Sequence, residues 1–357
     1  MSTDRPLRIA IASFAHLHAT SYIAALQASP GIELLASDPD GAHAPDDQPR
    51  GAALAAELGV DYVDDYDALF SWGPDAVIVT SENAGHRALV ERAAAAGAHV
   101  LCEKPLATEV DDARAMVDAC ERAGVILMVA FPVRFAPQFA AMRAHVQAGS
   151  IGHPFAIVGT NNGKIPIDAR RWFTDPDLSG GGALVDHVVH CADLIDALTG
   201  GEPAVTVYAA ANRILHAEKD VEVETAGLVT ITYRSGLIAT IDCSWSQPDS
   251  APTWGGLTLK VTGSAGSVEI APFAERVDGQ GADGPIHLGY ATDTDAALLQ
   301  EFLDAVRTTG RASAGVAPTV RPQPDGGVGI RTVQIVDAAR RSALSGAPVA
   351  VEALPEE

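Results

Sequence analysis

Positive charge is scarce in this sequence: 24 Lys and Arg stand against 46 Asp and Glu, a formal charge of −22 over 357 residues. Such a surface repels phosphate backbones and anionic membrane faces, so neither nucleic acid nor a membrane is expected as a partner. Cysteine is as thin. Cys102, Cys120, Cys191 and Cys243 lie far apart with no CxxC pair, which argues against a disulfide scaffold or a zinc ribbon and leaves them as small buried hydrophobes. No apolar run approaches the roughly 18 to 20 residues of a membrane span. The opening MSTDRPLRIAIAS has no basic start followed by a long apolar stretch, so a cytoplasmic location is expected.

What is there suffices for two cores, with 47% hydrophobic residues. Arg8 to Ala12, Ile32 to Ser37, Ala76 to Thr80, His99 to Cys102 and Val125 to Phe131 are short apolar runs separated by helical patterns. That alternation predicts βαβ units and a doubly wound parallel sheet over residues 1–131. Beyond it, Thr225 to Tyr233 and Leu237 to Trp245 alternate faces around Arg234-Ser235-Gly236, an antiparallel hairpin. Further strands are expected at Phe155 to Gly159, Val205 to Ala210, Leu257 to Thr262 and Ser267 to Ala271. Residues 132–357 thus read as an α/β domain with a large, mainly antiparallel open sheet, its final helix packing back on the first domain. The Gly- and Pro-rich stretches Ala274 to Gly289 and Arg311 to Gly329 read as long loops.

A doubly wound sheet ordinarily carries G-x-G-x-x-G after its first strand. Here the six positions are Ser13-Phe14-Ala15-His16-Leu17-His18, with no glycine. Serine and alanine still allow close approach of a pyrophosphate, whereas His18 loosens helix packing. Asp38, ending the second strand, is placed to accept from an adenosine ribose diol, and no Arg or Lys directly after it greets a 2′-phosphate, so NAD is favoured over NADP. His16 and His18 invite a metal reading, but a site wants three or four ligands and the spacing specifies none, so no metal is expected.

Glu103-Lys104-Pro105 follows a strand, at the carboxyl edge where such sheets bind ligands. Gly180-Gly181-Gly182 feeds a helix on which Asp186 and His190 stand four apart on one face. A carboxylate can fix an imidazole, the imidazole can take an alcohol proton as hydride leaves carbon, and an ammonium can steady the alkoxide. Between the first strand of the second domain and the glycine run, Asn161, Asn162, Lys164, Asp168, Arg171 and Trp172 suit a polyhydroxylated ring, Lys164 and Trp172 above the rest. His187 and Arg134 are placed to line the cleft or to pack between domains.

Together these residues resemble the glucose-fructose oxidoreductase and inositol dehydrogenase family, Gfo/Idh/MocA. The resemblance spans essentially the whole chain and includes Asp38, the strand leading through Thr80 to Asn83 and His86, the Glu-Lys-Pro triplet, Arg134-Phe135, the glycine-run helix and a terminal Ser345-Gly346-Ala347-Pro348-Val349. It implies hydride transfer between NAD and a ring hydroxyl of a sugar, polyol or sugar derivative. Lys104 would lie between nicotinamide and substrate, Asp186 would position substrate and histidine, and His190 would be the general acid/base. Ser13, Phe14, Ala15, His16, Asp38, Thr80, Asn83, His86, Glu103 and Lys104 would face the cofactor, and the open sheet would build a homodimer or homotetramer. Two alternatives use the same scaffold: glycoside cleavage through transient C3 oxidation with recycled NAD, and a non-catalytic sugar or cofactor sensor.

Overall fold

The computed structural model describes residues 5–45, 47–281, 284–289 and 292–352. Its first part alternates as the apolar runs require: β1 (Leu7–Ala12), α1 (His18–Gln27), β2 (Ile32–Ser37), α2 (Gly51–Leu58), α3 (Tyr66–Ser71), β3 (Ala76–Val79), α4 (His86–Ala95), β4 (His99–Glu103), α5 (Val110–Ala123) and β5 (Leu127–Ala130). The strands pair in parallel in the order β2-β1-β3-β4-β5. Their continuous apolar runs follow from burial on both faces. In α5, Ala113, Met116 and Cys120 fall on one buried stripe, and Gly124 ends the helix at φ 69°, a conformation that a side chain disfavours.

After a short 3-10 turn, Pro132–Phe135, come α6 (Pro137–Gln147), β6 (Pro154–Gly163), α7 (Pro176–Ser179), α8 (Ala183–Thr199), β7 (Ala204–Asn212), β8 (Ala226–Tyr233), β9 (Ile238–Ser244), β10 (Gly255–Gly263) and β11 (Gly266–Ile270). They are followed by β12 (Arg276–Gly281), β13 (Gly284–Gly289), α9 (Thr294–Thr309), α10 (Gly326–Ser345) and β14 (Val349–Ala350). The second sheet runs β11-β10-β6-β9-β8-β7-β14, antiparallel except for the β6–β9 pair. One face packs on α8 and α10. The other leaves Val158, Tyr208, Leu228 and Ile238 exposed.

Two features differ from the sequence pattern. The stretch 274–289 is not a plain loop: β12 and β13 form a two-stranded ribbon with Val277 opposite Leu288. Its glycines hide the alternation, and positions 282 and 283 lie outside the described residues. The first core also takes in α9, whose Leu298, Leu299, Phe302 and Leu303 bury against Ile9, Ile11, Tyr22 and Met128. Among the described residues, no helix is long and apolar enough to cross a membrane.

Candidate active site

The carboxyl end of β4 delivers Lys104 to a cleft of about 560 Å³, large enough for a small ligand, with Glu103 buried beneath. From the other side comes the first turn of α8. Its start is fixed by Glu224, whose Oε1 accepts from the N–H groups of Gly182 at 2.9 Å and Leu184 at 3.1 Å. Only glycine fits there, because a Cβ on Gly182 would lie 1.9 Å from the Glu224 carbonyl oxygen. The helix thus carries Asp186 to Lys104, with Nζ donating to Oδ1 at 2.6 Å.

The second carboxylate oxygen of Asp186 accepts from Trp245 Nε1 at 3.2 Å and faces His187 Nε2, also at 3.2 Å. Burial alone would raise the Asp186 carboxyl, but Lys104 and then His187 outweigh it and hold the group well below its usual range. The Asp186–His190 contact expected from i,i+4 spacing is therefore not the one formed. Asp186 is drawn off the helix face toward Lys104 and Trp245, and the adjacent His187 closes on it. His190 lines the same cleft with its ring edge-on to Phe131. Burial, reinforced by Lys104, lowers its pKa far below 6.5, so it is a neutral imidazole able to accept a proton. The Nδ1 atoms of His187 and His190 are both buried without a hydrogen-bond partner.

Beneath Lys104 lies a buried carboxylate cluster. Glu103 has no exposed surface and accepts from Tyr22 Oη at 2.8 Å; His18 Nδ1 is 2.9 Å away and His16 Nε2 is 3.9 Å away. Burial would raise Glu103, yet His18, whose own pKa Glu103 raises, and Lys104 hold it ionised. His16, His18 and Glu103 have the donor types of a metal site, within 4.8 Å of one another. Against that use, His16 Nδ1 accepts the His18 N–H at 3.2 Å, which leaves the ring proton on the nitrogen facing Glu103. The cluster is therefore better described as an ion pair and hydrogen-bond base for Lys104.

The cofactor loop is tightly built. Ser13 takes φ 76°, the left-handed region where glycine was expected. The Ala15 carbonyl accepts from Arg170 Nε at 3.0 Å and Trp172 Nε1 at 2.9 Å, while Trp172 stacks on Phe173 at 3.9 Å. Trp172 thus belongs to the cofactor loop, and its neighbour Phe173 reaches the cleft. Lys164 is drawn away by the Asp249 carbonyl at 2.8 Å and does not line the cleft; Asn161 and Asn162 do. Phe14 is core, near Tyr62. Thr80 donates to the Ser13 carbonyl, Asn83 to that of Ser179, and His86 lies against the Pro105 and Leu106 carbonyls, so these three side chains brace loops. Arg134 is held by Asp193, with Asp196 3.8 Å away, and is not in the cleft lining. Sequence reasoning missed Arg50, Trp245, Trp254 and Asp295: alternation marks Trp245 as inward-facing but not as a site residue, Asp295 opens α9, and Arg50 and Trp254 lie just outside regular elements.

Buried neutral histidines give a stability signature. His16, pushed down to about 3, and His86, His99 and His190, also lowered, owe their shifts first to burial. Below about pH 6.5 the unfolded chain protonates these rings and the folded chain does not, so stability falls as pH falls, by up to about 1.4 kcal/mol per pH unit for each ring. Asp193, pushed up to about 6 by burial, contributes with the opposite sign. Thermal unfolding scanned from pH 7 to 5 should show a steadily falling midpoint, and a flat profile would contradict the assigned protonation.

A parallel sheet with an acid closing β2, and a lysine and histidines gathered at the carboxyl ends of its strands, defines a nicotinamide-type oxidoreductase. The chain belongs to the Gfo/Idh/MocA oxidoreductases: residues 41–131 match the oxidoreductase family with NAD-binding Rossmann fold, and 139–269 the GFO/IDH/MocA C-terminal domain. D-xylose 1-dehydrogenase (NADP(+)) 2 of Haloferax volcanii is 32% identical over 313 residues, covering 86% of this chain and 90% of that protein. scyllo-Inositol 2-dehydrogenase (NAD(+)) of Bacillus subtilis is 27% identical, covering 72% and 75%. The crystal structure of GenD2 from gentamicin A biosynthesis, in complex with NAD, has a TM-score of 0.83 at 23% identity, over 99% of this chain and 98% of that one. That of myo-inositol 2-dehydrogenase from Lactobacillus plantarum scores 0.79 at 23% identity, over 98% and 100%. At those identities the two structures show the shared fold.

Proposed function

We propose that the chain is a dehydrogenase of a sugar or polyol, moving a hydride between a ring carbon bearing a hydroxyl and a nicotinamide. The observation that carries this reading is the 2.6 Å pairing of Lys104 with Asp186 across the cleft, beside a neutral, buried His190. The residues fit a dinucleotide: Ser13 takes the left-handed backbone of a glycine turn before α1, Asp38 follows β2, and Lys104 and His190 line the cleft. NAD supplies the hydride acceptor when bound. Lys104 then holds the substrate hydroxyl oxygen and steadies negative charge on it, Asp186 fixes Lys104, and His190 takes the hydroxyl proton. Asn161, Asn162 and Trp254 supply amides and an aromatic face for the remaining ring. Incubation with NAD and a panel of sugars and inositols, followed by nicotinamide absorbance, tests this. Bound cofactor with no reduction by any of them would count against it.

The Asp186–His187 contact favours a second assignment of the base. With His190 as base, His190→Ala costs about 10² to 10⁴ in kcat, and His187→Ala raises mainly KM. Reversal of that order in steady-state kinetics would assign the base to His187.

The exposed outer face of the second sheet, with Leu228 57% and Val158 53% accessible, supports assembly with a second copy of the chain into a dimer or tetramer. Leu228→Arg combined with Val158→Arg should at least halve the mass measured by light scattering; an unchanged mass would rule out this face. Four free, buried cysteines suit a reducing cytoplasm.

A further inference from the structure

Asp38 has no exposed surface, and its carboxylate is already filled by the protein. Oδ1 accepts from Ser13 Oγ at 3.0 Å and from Arg50 Nη2 at 2.7 Å. Oδ2 accepts from Arg50 Nε and from the Gly51 N–H, both at 3.0 Å. A carboxylate offers about four acceptor sites, so a ribose diol finds none free until a donor leaves. Arg50, at the N-cap of α2, is the donor with the most freedom to move: Gly51 donates through its backbone and Ser13 through a short hydroxyl, whereas the guanidinium ends a long chain. It also bonds Glu82 through Nη1 and Ser13 Oγ through Nη2, and its side chain is only 7% accessible.

An acid closing the second strand selects NAD because its free charge repels a 2′-phosphate. Here that charge is paired with a bidentate arginine, which also bonds Glu82, and a guanidinium fork suits phosphate oxygens. We propose that Arg50 is the cofactor-selecting residue of this chain: it cancels the exclusion exerted by Asp38 and serves as the 2′-phosphate contact, so NADP is accepted alongside NAD. The inference rests on the reading of this sheet as a nicotinamide dinucleotide site. The residues directly after Asp38 do not reveal this cation, which arrives from twelve positions further on.

Direct binding of NADH and NADPH to the purified full chain, by calorimetry or tryptophan fluorescence quenching, tests it without turnover. The wild-type constants should lie within about tenfold of each other, and Arg50→Ala should weaken NADPH by about tenfold or more while leaving NADH unchanged or tighter. Adding Asp38→Asn to Arg50→Ala should recover part of the NADPH loss, because the unmasked charge is then gone. Should Arg50→Ala fail to fold, Arg50→Gln gives the same ratio. Equal weakening of both dinucleotides would make Arg50 a brace and overturn the proposal, as would a wild type that binds NADH but not NADPH. A wild type that binds neither would overturn the dinucleotide site itself.

Discussion

Lys104→Met is expected to lower kcat/KM by about 10² to 10³-fold, because it removes an ammonium placed to stabilise charge on the substrate oxygen. The side chain is similar in shape, so packing is kept, but Asp186 loses its ammonium partner and a lower unfolding midpoint should accompany the kinetic loss. Dinucleotide affinity should change little, since the adenosine end of a dinucleotide would lie toward β2, away from Lys104. The loss should fall mainly on kcat, the mark of an interaction made in the transition state. Lys104→Arg keeps the charge but not its position, as the longer fork cannot enter the 2.6 Å contact with Asp186 unchanged, and partial activity is expected of it. Full activity in Lys104→Met with sugar as substrate would remove the lysine from the chemistry.

Arg134→Ala carries the second large effect, on stability. Arg134 Nη2 bonds Asp193 Oδ1 at 2.6 Å and the Asp193 carbonyl at 3.0 Å, and Nε bonds Oδ2 at 3.2 Å. Asp193 is 1% exposed. The pair ties the turn after β5 to the middle of α8, with Arg331 of α10 held by Asp196 at 2.6 Å one turn on. Removing one partner of a buried pair costs about 3–5 kcal/mol at neutral pH. Burial already pushes the Asp193 carboxyl up to about 6 with Arg134 opposing the shift, so without Arg134 it rises further. The cost should shrink as pH falls and Asp193 takes up a proton. Denaturant unfolding at pH 8 and pH 5.5 checks this, and equal losses at the two pH values would show that the charge is not the cause.

The parallel sheet was legible because parallel strands buried on both faces write unbroken apolar runs, and Asp38 and Lys104 were legible because they stand at the ends of such runs. The β8–β9 hairpin announced itself by strict alternation on either side of Arg234-Ser235-Gly236. The partners of these residues were not legible. Asp186 meets His187 and Trp245 instead of His190, because contacts from β4 and the end of β9 override helix spacing. Lys164 and Trp172 had the right chemistry for a sugar, but the Asp249 and Ala15 carbonyls claim them. Arg50 lies in an aperiodic stretch, where nothing in the pattern joins it to Asp38. Periodicity locates elements, whereas a site is assembled from their ends and from the irregular chain between them.

The most direct test follows one deuterium. A sugar or inositol labelled at the reacting carbon, incubated with the protein and oxidised dinucleotide, should yield reduced nicotinamide carrying one deuterium by mass spectrometry, together with the ketone or lactone product. Loss of an aglycone with deuterium-free solvent hydrogen appearing in the sugar and no net reduced cofactor, or an unlabelled dinucleotide beside untouched substrate, would contradict hydride transfer as the function of the Lys104–Asp186–His190 cleft.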